Sequence, residues 1–299
     1  MIIYVMRKLL FLILFSGCIG QSFAQLSAPK KYYTDSICFD GAPKRLSNKY
    51  PLSDQKNMGK WKMNKKFSDE FKGNKLDPKK WQDYCRTWKG RQPTYFDGRN
   101  VTVDHGELTF KINQHEKDQL PEGYTHSSGY IRSHTQFKYG YFEAKIKAMD
   151  APWVTCFWMT KGTATWGTEI DICENAPGVA GNEHDLNSNI HVFKSPEDQG
   201  NVKKHFYRSK KYYVPFDLKK DYHVWGCEWN QDVIRWYLDG VLFREAENTH
   251  WHQPLHIILN NESNKWFGCL PDDNRLNGQY KVEYVRVWQS KLVESDIIQ

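Results

Sequence analysis

Three carboxylates lie close together in a short stretch whose other side chains are mostly apolar. Residues 166–174 read WGTEIDICE, which places Glu169 two residues before Asp171 and five residues before Glu174. On a regular strand Glu169 and Asp171 share one face, whereas Glu174 points to the other. A β-bulge at Ile172 or Cys173 would absorb one residue and return Glu174 to the acidic face.

Acids that crowd one face favour a particular chemistry. Like charges disfavour ionisation, so at least one pKa rises, and a carboxylate and a carboxylic acid then coexist near neutral pH. Glycosidic bond cleavage with retention of configuration uses such a pair. The alternative is that the three acids form the solvated face of a strand whose isoleucines, Ile170 and Ile172, turn to the core.

The acidic stretch resembles the E-x-D-x-x-E signature of glycoside hydrolase family 16. The likeness is to the bulged form found in laminarinases, agarases, porphyranases and κ-carrageenases, rather than to the E-x-D-x-E form of licheninases. It implies that Glu169 is the nucleophile, Glu174 the general acid/base and Asp171 the carboxylate that orients and tunes the nucleophile. Residues 137–144, 229–240 and 282–288 also resemble strands of the family, so the resemblance covers roughly residues 67–290.

The elements that position these acids are predicted to be short strands. Apolar and charged residues alternate along 142–148 and 234–239, and Asp239-Gly240 supplies a two-residue hairpin turn. No helix-length apolar pattern interrupts the series. The chain is therefore predicted to be all-β, with two antiparallel sheets packed as a jelly-roll sandwich around an open cleft, the fold that the resemblance also implies. Further strands are predicted at 101–103, 107–112, 129–133, 153–159, 189–193, 222–229, 255–259 and 280–288.

The chain is predicted to have three parts. Residues 1–24 have the features of a secretory signal peptide: basic residues, a short apolar run and a small-x-small site that ends at Ala24. As an alternative, residues 15–18 resemble a lipobox. In that case Cys18 would be lipidated, and the protein would be an outer-membrane lipoprotein anchored through Cys18. Residues 25–66 form a polar lead-in, and residues 67–290 form one catalytic domain. We expect a secreted or periplasmic monomer without a transmembrane segment.

Charge and cysteine content restrict the partners. The formal net charge is +7, and it would fall to +5 if the basic residues of the signal peptide were removed. This charge suits an anionic polysaccharide, but no basic cluster with interleaved aromatic residues indicates nucleic acid. Six cysteines would remain, which permits disulfides, and their spacing fits no zinc motif. No organic or redox cofactor is predicted. Some family members hold a structural calcium, but the sequence identifies no ligands for one.

Several aromatic and histidine side chains are candidate contacts for sugar rings, because aromatic faces stack on apolar sugar faces. The resemblance places Trp166 beside the cleaved sugar. Trp153 and His191 are weaker candidates, and each could instead be a core residue. Packing in the core is predicted for four tryptophans inside strands: Trp158, Trp229, Trp236 and Trp288.

The remaining candidates come from segments that resemble agar- and porphyran-degrading members. Trp251, His252 and Glu262 are predicted to line the cleft, and a metal site formed by His250, His252 and His256 is rejected because a third ligand of suitable spacing is missing. Trp88, Arg91 and Arg132 resemble residues that hold a sulfated galactose, and an arginine can bind sulfate through two charge-assisted hydrogen bonds. For Arg91 and Arg132 the alternative is a surface ion pair.

Together these features predict a retaining endo-glycosidase that cleaves a red-algal galactan of the porphyran or agar type. Two rivals belong to the same family: a κ-carrageenase, which the basic charge favours, and a β-1,3-glucanase, which shares the bulged signature. A third rival is a non-catalytic carbohydrate-binding sandwich. Such a module does not need two glutamates, and the presence of all three acids argues against it.

Overall fold

The computed structural model describes residues 33–116, 119–269 and 276–292, together with the backbone of residues 296–298. The predicted signal peptide and Cys18 lie outside the described residues. Within them, the helices are four three-residue 3-10 turns, and no helix is long and apolar enough to cross a membrane.

The structure is almost entirely made of short strands, as the alternating sequence pattern predicts. The 3-10 turns span Leu52–Asp54, Gly98–Asn100, Val202–Lys204 and Lys265–Phe267. The strands are β1 (Asp35–Ser36), β2 (Trp61–Met63), β3 (Trp81–Gln82), β4 (Thr94–Phe96), β5 (Val101–Asp104), β6 (Glu107–Phe110), β7 (Ile112–Gln114), β8 (His126–Ser128), β9 (Tyr130–Lys138), β10 (Gly140–Lys147), β11 (Val154–Gly162), β12 (Gly167–Asn175), β13 (Asp185–Lys194), β14 (Phe206–Tyr207), β15 (Lys210–Tyr213), β16 (His223–Trp229), β17 (Val233–Leu238), β18 (Val241–Glu247), β19 (Leu255–Glu262), β20 (Tyr280–Ser290) and β21 (Asp296–Ile298).

Two large sheets pack face to face, which confirms the predicted sandwich. The cleft sheet has the strand order β1-β15-β13-β12-β11-β19-β9-β21, with β14 beside β13 and β3 beside β9. The back sheet has the order β18-β17-β16-β10-β20-β6-β5, with β2 beside β20. Core side chains come from both sheets and include Phe157 and Ile170 from the cleft sheet and Phe142 and Trp236 from the back sheet.

Two strand boundaries bear on the sequence predictions: one is confirmed, and the other divides a predicted strand. Asp239 and Gly240 both have positive φ, at 49° and 78°, and they join β17 to β18 as the predicted two-residue turn. The strand predicted over residues 107–112 is divided at Lys111: β6 pairs within the back sheet, whereas β7 belongs to a small third sheet with β4 and β8.

Part of the predicted lead-in lies against the outer face of the back sheet. Glu143, on that face, is fully buried, accepts the Leu52 backbone N–H at 2.8 Å and forms an ion pair with Arg45. The Lys49 carbonyl accepts the indole N–H of Trp288 at 2.7 Å. These contacts could not be predicted from the sequence. They are single polar contacts rather than a regular strand pairing, and such contacts leave no periodic pattern.

Candidate active site

The predicted bulge is present in β12, the strand that carries the three acids. Cys173 pairs with Phe157 on the neighbouring strand β11, while Asp171 pairs with the next residue, Trp158. Ile172 is therefore the extra residue. The insertion returns Glu174 to the face of Glu169 and Asp171, as the spacing of the acids predicts.

The three acids line one pocket of about 230 Å³ on the outer face of the cleft sheet. Their partners on β11 are alternate residues, which share a face: Glu169 lies opposite Thr160, Asp171 opposite Trp158, and Glu174 opposite Cys156. Ile170 and Ile172 are fully buried on the opposite, core face. Asp171 is only 5 % exposed, so the acids do not form an ordinary solvated strand face.

Burial and mutual charge keep protons on this cluster. Burial raises the pKa of Glu169 to about 8, and the charge of Glu174 adds to the rise. Burial also raises the pKa of Glu174 to about 8, with contributions from the charges of Asp171 and Glu262. The pKa of Asp171 lies well above its usual range, chiefly through burial and then through Glu169. At neutral pH the cluster therefore holds carboxylic acids beside any carboxylate.

His191 lies opposite Glu169 on β13, and its Nε2 is 3.8 Å from Glu169 and 3.5 Å from Asp171. The side-chain N–H of Asn189 lies 2.9 Å from Nε2, and His205 Nε2 lies 3.2 Å from Nδ1. These neighbours assign the proton of the neutral imidazole to Nδ1. Burial, together with the charge of His205, lowers the pKa of His191 to about 4, so the ring is uncharged at neutral pH.

Two tryptophans in the core hold the backbone beneath the acids. The indole N–H of Trp236 donates to the Asp171 carbonyl at 2.9 Å, and that of Trp251 donates to the Glu169 carbonyl at 2.8 Å. Both rings are fully buried. Trp251 was predicted to contact substrate, and the structure corrects this: its ring has no exposed face, and its contact with Glu169 positions the acid instead.

The core also contains Trp153, which was another candidate for stacking on sugar. Its side chain is 1 % exposed and packs against His126 with ring centroids 5.4 Å apart, so no sugar can reach it. Conversely, Trp158 was predicted to be a core residue, and that prediction is wrong. It is half-buried, shares the face of the acids and lines their pocket.

Arg91 and Glu262 form an ion pair at the edge of the pocket. Arg91 Nε donates to Glu262 Oε1 at 3.0 Å, and its guanidinium lies over the Trp266 ring at 5.4 Å. Glu262 is 3 % exposed, and its Oε2 is buried without a hydrogen-bond partner. Trp88 lines the same pocket and contacts Trp158 edge to face at 6.0 Å. The structure thus brings Trp88, Arg91 and Glu262 together with the acids.

Arg132 lies on the same face of the sheet but further away. It pairs with Ile258, which pairs with Trp158, so three strand spacings, roughly 14 Å, separate its row position from that of Asp171. Its Nη2 donates to Gln82 at 3.1 Å, whereas its Nε is buried without a hydrogen-bond partner. Among the residues that the structure describes, Arg132 therefore forms no ion pair, and its Nε is an unsatisfied donor.

Trp166 and His252 lie outside the pocket around the acids. Trp166 directly precedes β12, is half-buried and donates its indole N–H to the His250 carbonyl at 3.3 Å. His252 Nδ1 lies 2.7 Å from the Tyr139 hydroxyl.

Asn260 is a pocket residue that the sequence reasoning missed. It lies in the row of Glu174, because both pair with Cys156. Its Oδ1 accepts the indole N–H of Trp158 at 2.7 Å, while its Nδ2 is buried without a partner. A signal was available, since Asn260 directly follows the strand predicted over residues 255–259. Extending that strand by three residues would place Asn260 and Glu262, two residues apart, on one face.

The cluster also contains the one group of three potential metal ligands found among the residues that the structure describes. Ligand atoms of Glu169, Asp171 and His191 lie within 4.8 Å of one another. His256, which was weighed as a metal ligand from sequence, lies elsewhere in the sheet, and its Nδ1 is 2.8 Å from the Ser133 carbonyl. The described cysteines are all free thiols: Cys38, Cys85, Cys156, Cys173, Cys227 and Cys269.

Comparison with known proteins relates this site to one enzyme family. The family model described as "Beta-porphyranase A-D, GH16 domain" matches residues 61–290. Beta-porphyranase B of Zobellia galactanivorans is 29 % identical over 266 residues, which cover 79 % of this chain and 86 % of that protein. Kappa-carrageenase of Pseudoalteromonas carrageenovora is 29 % identical over 265 residues, which cover 76 % of this chain and 64 % of that protein.

Solved structures support the same relationship at the level of the fold. The crystal structure of porphyranase B from Zobellia galactanivorans superposes with a TM-score of 0.66 at 24 % identity, covering 80 % of this chain and 94 % of that one. The family match extends over most of the chain and includes the bulged acidic strand. The protein therefore belongs to glycoside hydrolase family 16, within the β-porphyranase A–D group, and is a glycoside hydrolase.

Proposed function

We propose that the protein is a retaining endo-glycosidase that hydrolyses a red-algal galactan of the porphyran or agar type. The observation that carries the proposal is the bulged strand β12, which aims the buried Asp171 and the half-buried Glu169 and Glu174 into one pocket. The substrate class rests on the family match and on the relatives named beta-porphyranase.

In the proposed mechanism Glu169 attacks the anomeric carbon while Glu174 gives its proton to the leaving glycosidic oxygen. The attack forms a glycosyl-enzyme ester and releases the first part of the chain. Glu174, now ionised, then removes a proton from water, and the water oxygen displaces Glu169. Two inversions at the anomeric carbon give net retention. The raised pKa of Glu174 supports its part, because a general acid must be protonated at the working pH.

Asp171 acts between the two glutamates in this proposal. It lies next to Glu169 on the same face, and its pKa is raised by burial and by Glu169. A protonated Asp171 adds no charge to the pair, and its buried Oδ2, which lacks a hydrogen-bond partner, is free to donate once protonated. This arrangement favours an ionised Glu169 over an ionised Asp171.

Arg132, which forms no ion pair among the described residues and lies on the face of the acids, supports a sulfated substrate. The Arg132 side chain as a whole is half-buried, so a sulfate oxygen could accept a charge-assisted hydrogen bond from the exposed part of its guanidinium. Arg91 is a weaker candidate, because its Nε already donates to Glu262, and a sulfate placed there would meet that carboxylate. Sulfate recognition is therefore assigned to a subsite near Arg132, away from the point of cleavage.

A κ-carrageenase is the second candidate, since a named kappa-carrageenase matches with the same identity as the porphyranase. The purified protein should be assayed on porphyran, agarose, κ-carrageenan and laminarin, with Glu169→Gln as the inactive control. Fastest release of reducing ends from porphyran or agarose is expected. Preference for κ-carrageenan or laminarin would overturn the substrate assignment. Proton NMR of the first reducing ends should show the β anomer if the β-linked substrate is cleaved with retention.

A further inference from the structure

The positive charge of the protein is concentrated in one segment, residues 44–75, which we call the basic strap. It contains ten Lys or Arg and three Asp or Glu, an excess of seven. The whole chain also has a formal net charge of +7, so the rest of the sequence is formally neutral. A charge that looks moderate for the whole protein is therefore strong locally, and the strap, in which Trp61 and Phe67 lie among the lysines, is a basic cluster that the sequence reasoning did not find.

The strap lies on the side of the sandwich opposite the catalytic pocket. Its strand β2 pairs with β20 of the back sheet, and Arg45 reaches Glu143 on the outer face of that sheet. The ring of Trp61 packs against Tyr141 on the same outer face, with centroids 5.7 Å apart. The catalytic acids face outwards from the other sheet, so the full thickness of the core separates the two surfaces.

A groove of about 740 Å³ is lined by residues of the strap and by Arg286 of β20. Four of its lining residues are exposed lysines for which no ion pair occurs among the described residues: Lys49, Lys62, Lys65 and Lys72. Arg286 also lines the groove but is neutralised, since its Nε and Nη2 donate to the two oxygens of Glu70 at 2.7 and 2.9 Å. Half-buried Tyr50 and Met63 add apolar surface between the lysines.

We propose that this groove is a second, non-catalytic binding site for a sulfated polysaccharide. Four ammonium groups without an ion pair around one groove match a polymer that carries sulfates at intervals, and the apolar surface of Tyr50 suits a sugar face. A flat anionic membrane fits less well, because the lysines surround a concavity. The proposal rests on the proposed function for its substrate class.

The catalytic pocket does not supply this attraction. Its acids are Glu169, Asp171, Glu174 and Glu262, and the one arginine that lines it is paired with Glu262. A site on the back surface would hold the polymer near the enzyme while the cleft acts on another part of the same chain or on a neighbouring one. Attachment at two sites raises the effective concentration of substrate without any new contact in the cleft.

The test compares two variants that lose the same charge. The strap variant changes Lys49, Lys62, Lys65 and Lys72 to Gln, and the control variant changes four exposed lysines outside the strap: Lys79, Lys111, Lys210 and Lys220. Both sets are made in the wild-type enzyme for kinetics and together with Glu169→Gln for binding, so that no substrate is consumed. Melting temperatures should be unchanged in both, because the substitutions are at exposed positions.

The strap variant should bind porphyran about tenfold more weakly, as expected for the loss of four exposed charge contacts. The control variant should bind like its parent. On a short soluble oligosaccharide that occupies only the cleft, both variants should retain the kcat/KM of wild type. Equally weakened porphyran binding in both variants would overturn the proposal by showing that net charge alone determines binding. Unchanged binding in both variants would overturn it by showing that the groove does not bind the polymer.

Two further arms separate the proposal from its neighbours. Vesicles with anionic lipid should bind wild type no better than neutral vesicles at physiological salt. If vesicle binding depended on the strap and exceeded binding to the polysaccharide, the groove would be a membrane site instead. Binding to κ-carrageenan and to desulfated porphyran is measured in parallel. Should wild type fail to hydrolyse porphyran or agarose while the strap still determines binding to sulfated polymers, the proposed function fails and the second site stands.

Discussion

Arg91→Ala is expected to weaken activity on sulfated and desulfated substrates alike. Arg91 is the cation that pairs with Glu262, a carboxylate that is only 3 % exposed. An unpartnered buried polar group costs roughly 1–3 kcal/mol. The Arg91 side chain is 42 % exposed, so we take the lower part of that range, about 1–2 kcal/mol. The corresponding loss in kcat/KM is about 5- to 30-fold.

The assay measures kcat/KM on porphyran and on desulfated porphyran for Arg91→Ala, for Glu262→Gln and for the double variant. A neutral amide at position 262 does not need the guanidinium, so the double variant should lose less than the product of the two single losses. Arg132→Ala is the comparison, because the proposed contact between its guanidinium and a sulfate predicts a loss of about tenfold or more on the sulfated substrate alone. The reasoning is refuted if Arg91→Ala affects only the sulfated substrate and Glu262→Gln does not rescue it.

Three further outcomes are expected. Glu169→Gln and Glu174→Gln should each lower kcat about 10²-fold or more with an unchanged melting temperature, and Asp171→Asn should lower kcat less. Turnover above about a tenth of wild type in either glutamine variant would contradict the roles of nucleophile and general acid/base. The active form carries one proton on the glutamate pair, so kcat/KM should fall as pH rises through about 8 and should also fall in acid. Glu262→Gln should move the alkaline limb of this profile to lower pH, because it removes a charge that raises the pKa of Glu174. Asn260→Ala should lower kcat/KM about tenfold through loss of a buried donor, and Asn260→Asp should lower kcat/KM further by adding a charge to the acidic pocket. Wild-type kinetics in both variants would exclude Asn260 from substrate contact.

The bulge could be predicted because it follows from counting. A strand alternates faces every two residues, and a spacing of five from Glu169 to Glu174 is incompatible with one face unless a residue is inserted. The pairing of β12 with β11 places that insertion at Ile172. The Asp239-Gly240 turn was predictable for a similar local reason, since both residues need positive φ.

The assignment of individual tryptophans could not be predicted equally well. A large ring is suited both to a core and to a sugar platform, and the choice depends on which face of the strand it occupies. Trp158 could have been placed by its pairing with Asp171, but that register is a tertiary fact. Trp251 lies four residues before β19, where the alternation that defines a face has not begun. Trp153 opens the strand predicted over residues 153–159, and alternation with the core residues Phe157 and Met159 would have placed it correctly.

The position of the basic strap changes what net charge implies about the active site. Charges on exposed groups are largely screened beyond about 8 Å at physiological salt, and the two packed sheets are themselves about 10 Å apart. The lysines of the strap therefore do not assist sulfate recognition in the cleft, which must depend on local groups such as Arg132. Their effect should appear instead as a salt-dependent kcat/KM on sulfated polymer, with kcat on a short oligosaccharide insensitive to moderate salt. If the strap variant kept the full salt dependence of wild type, the attraction would have to originate on another surface.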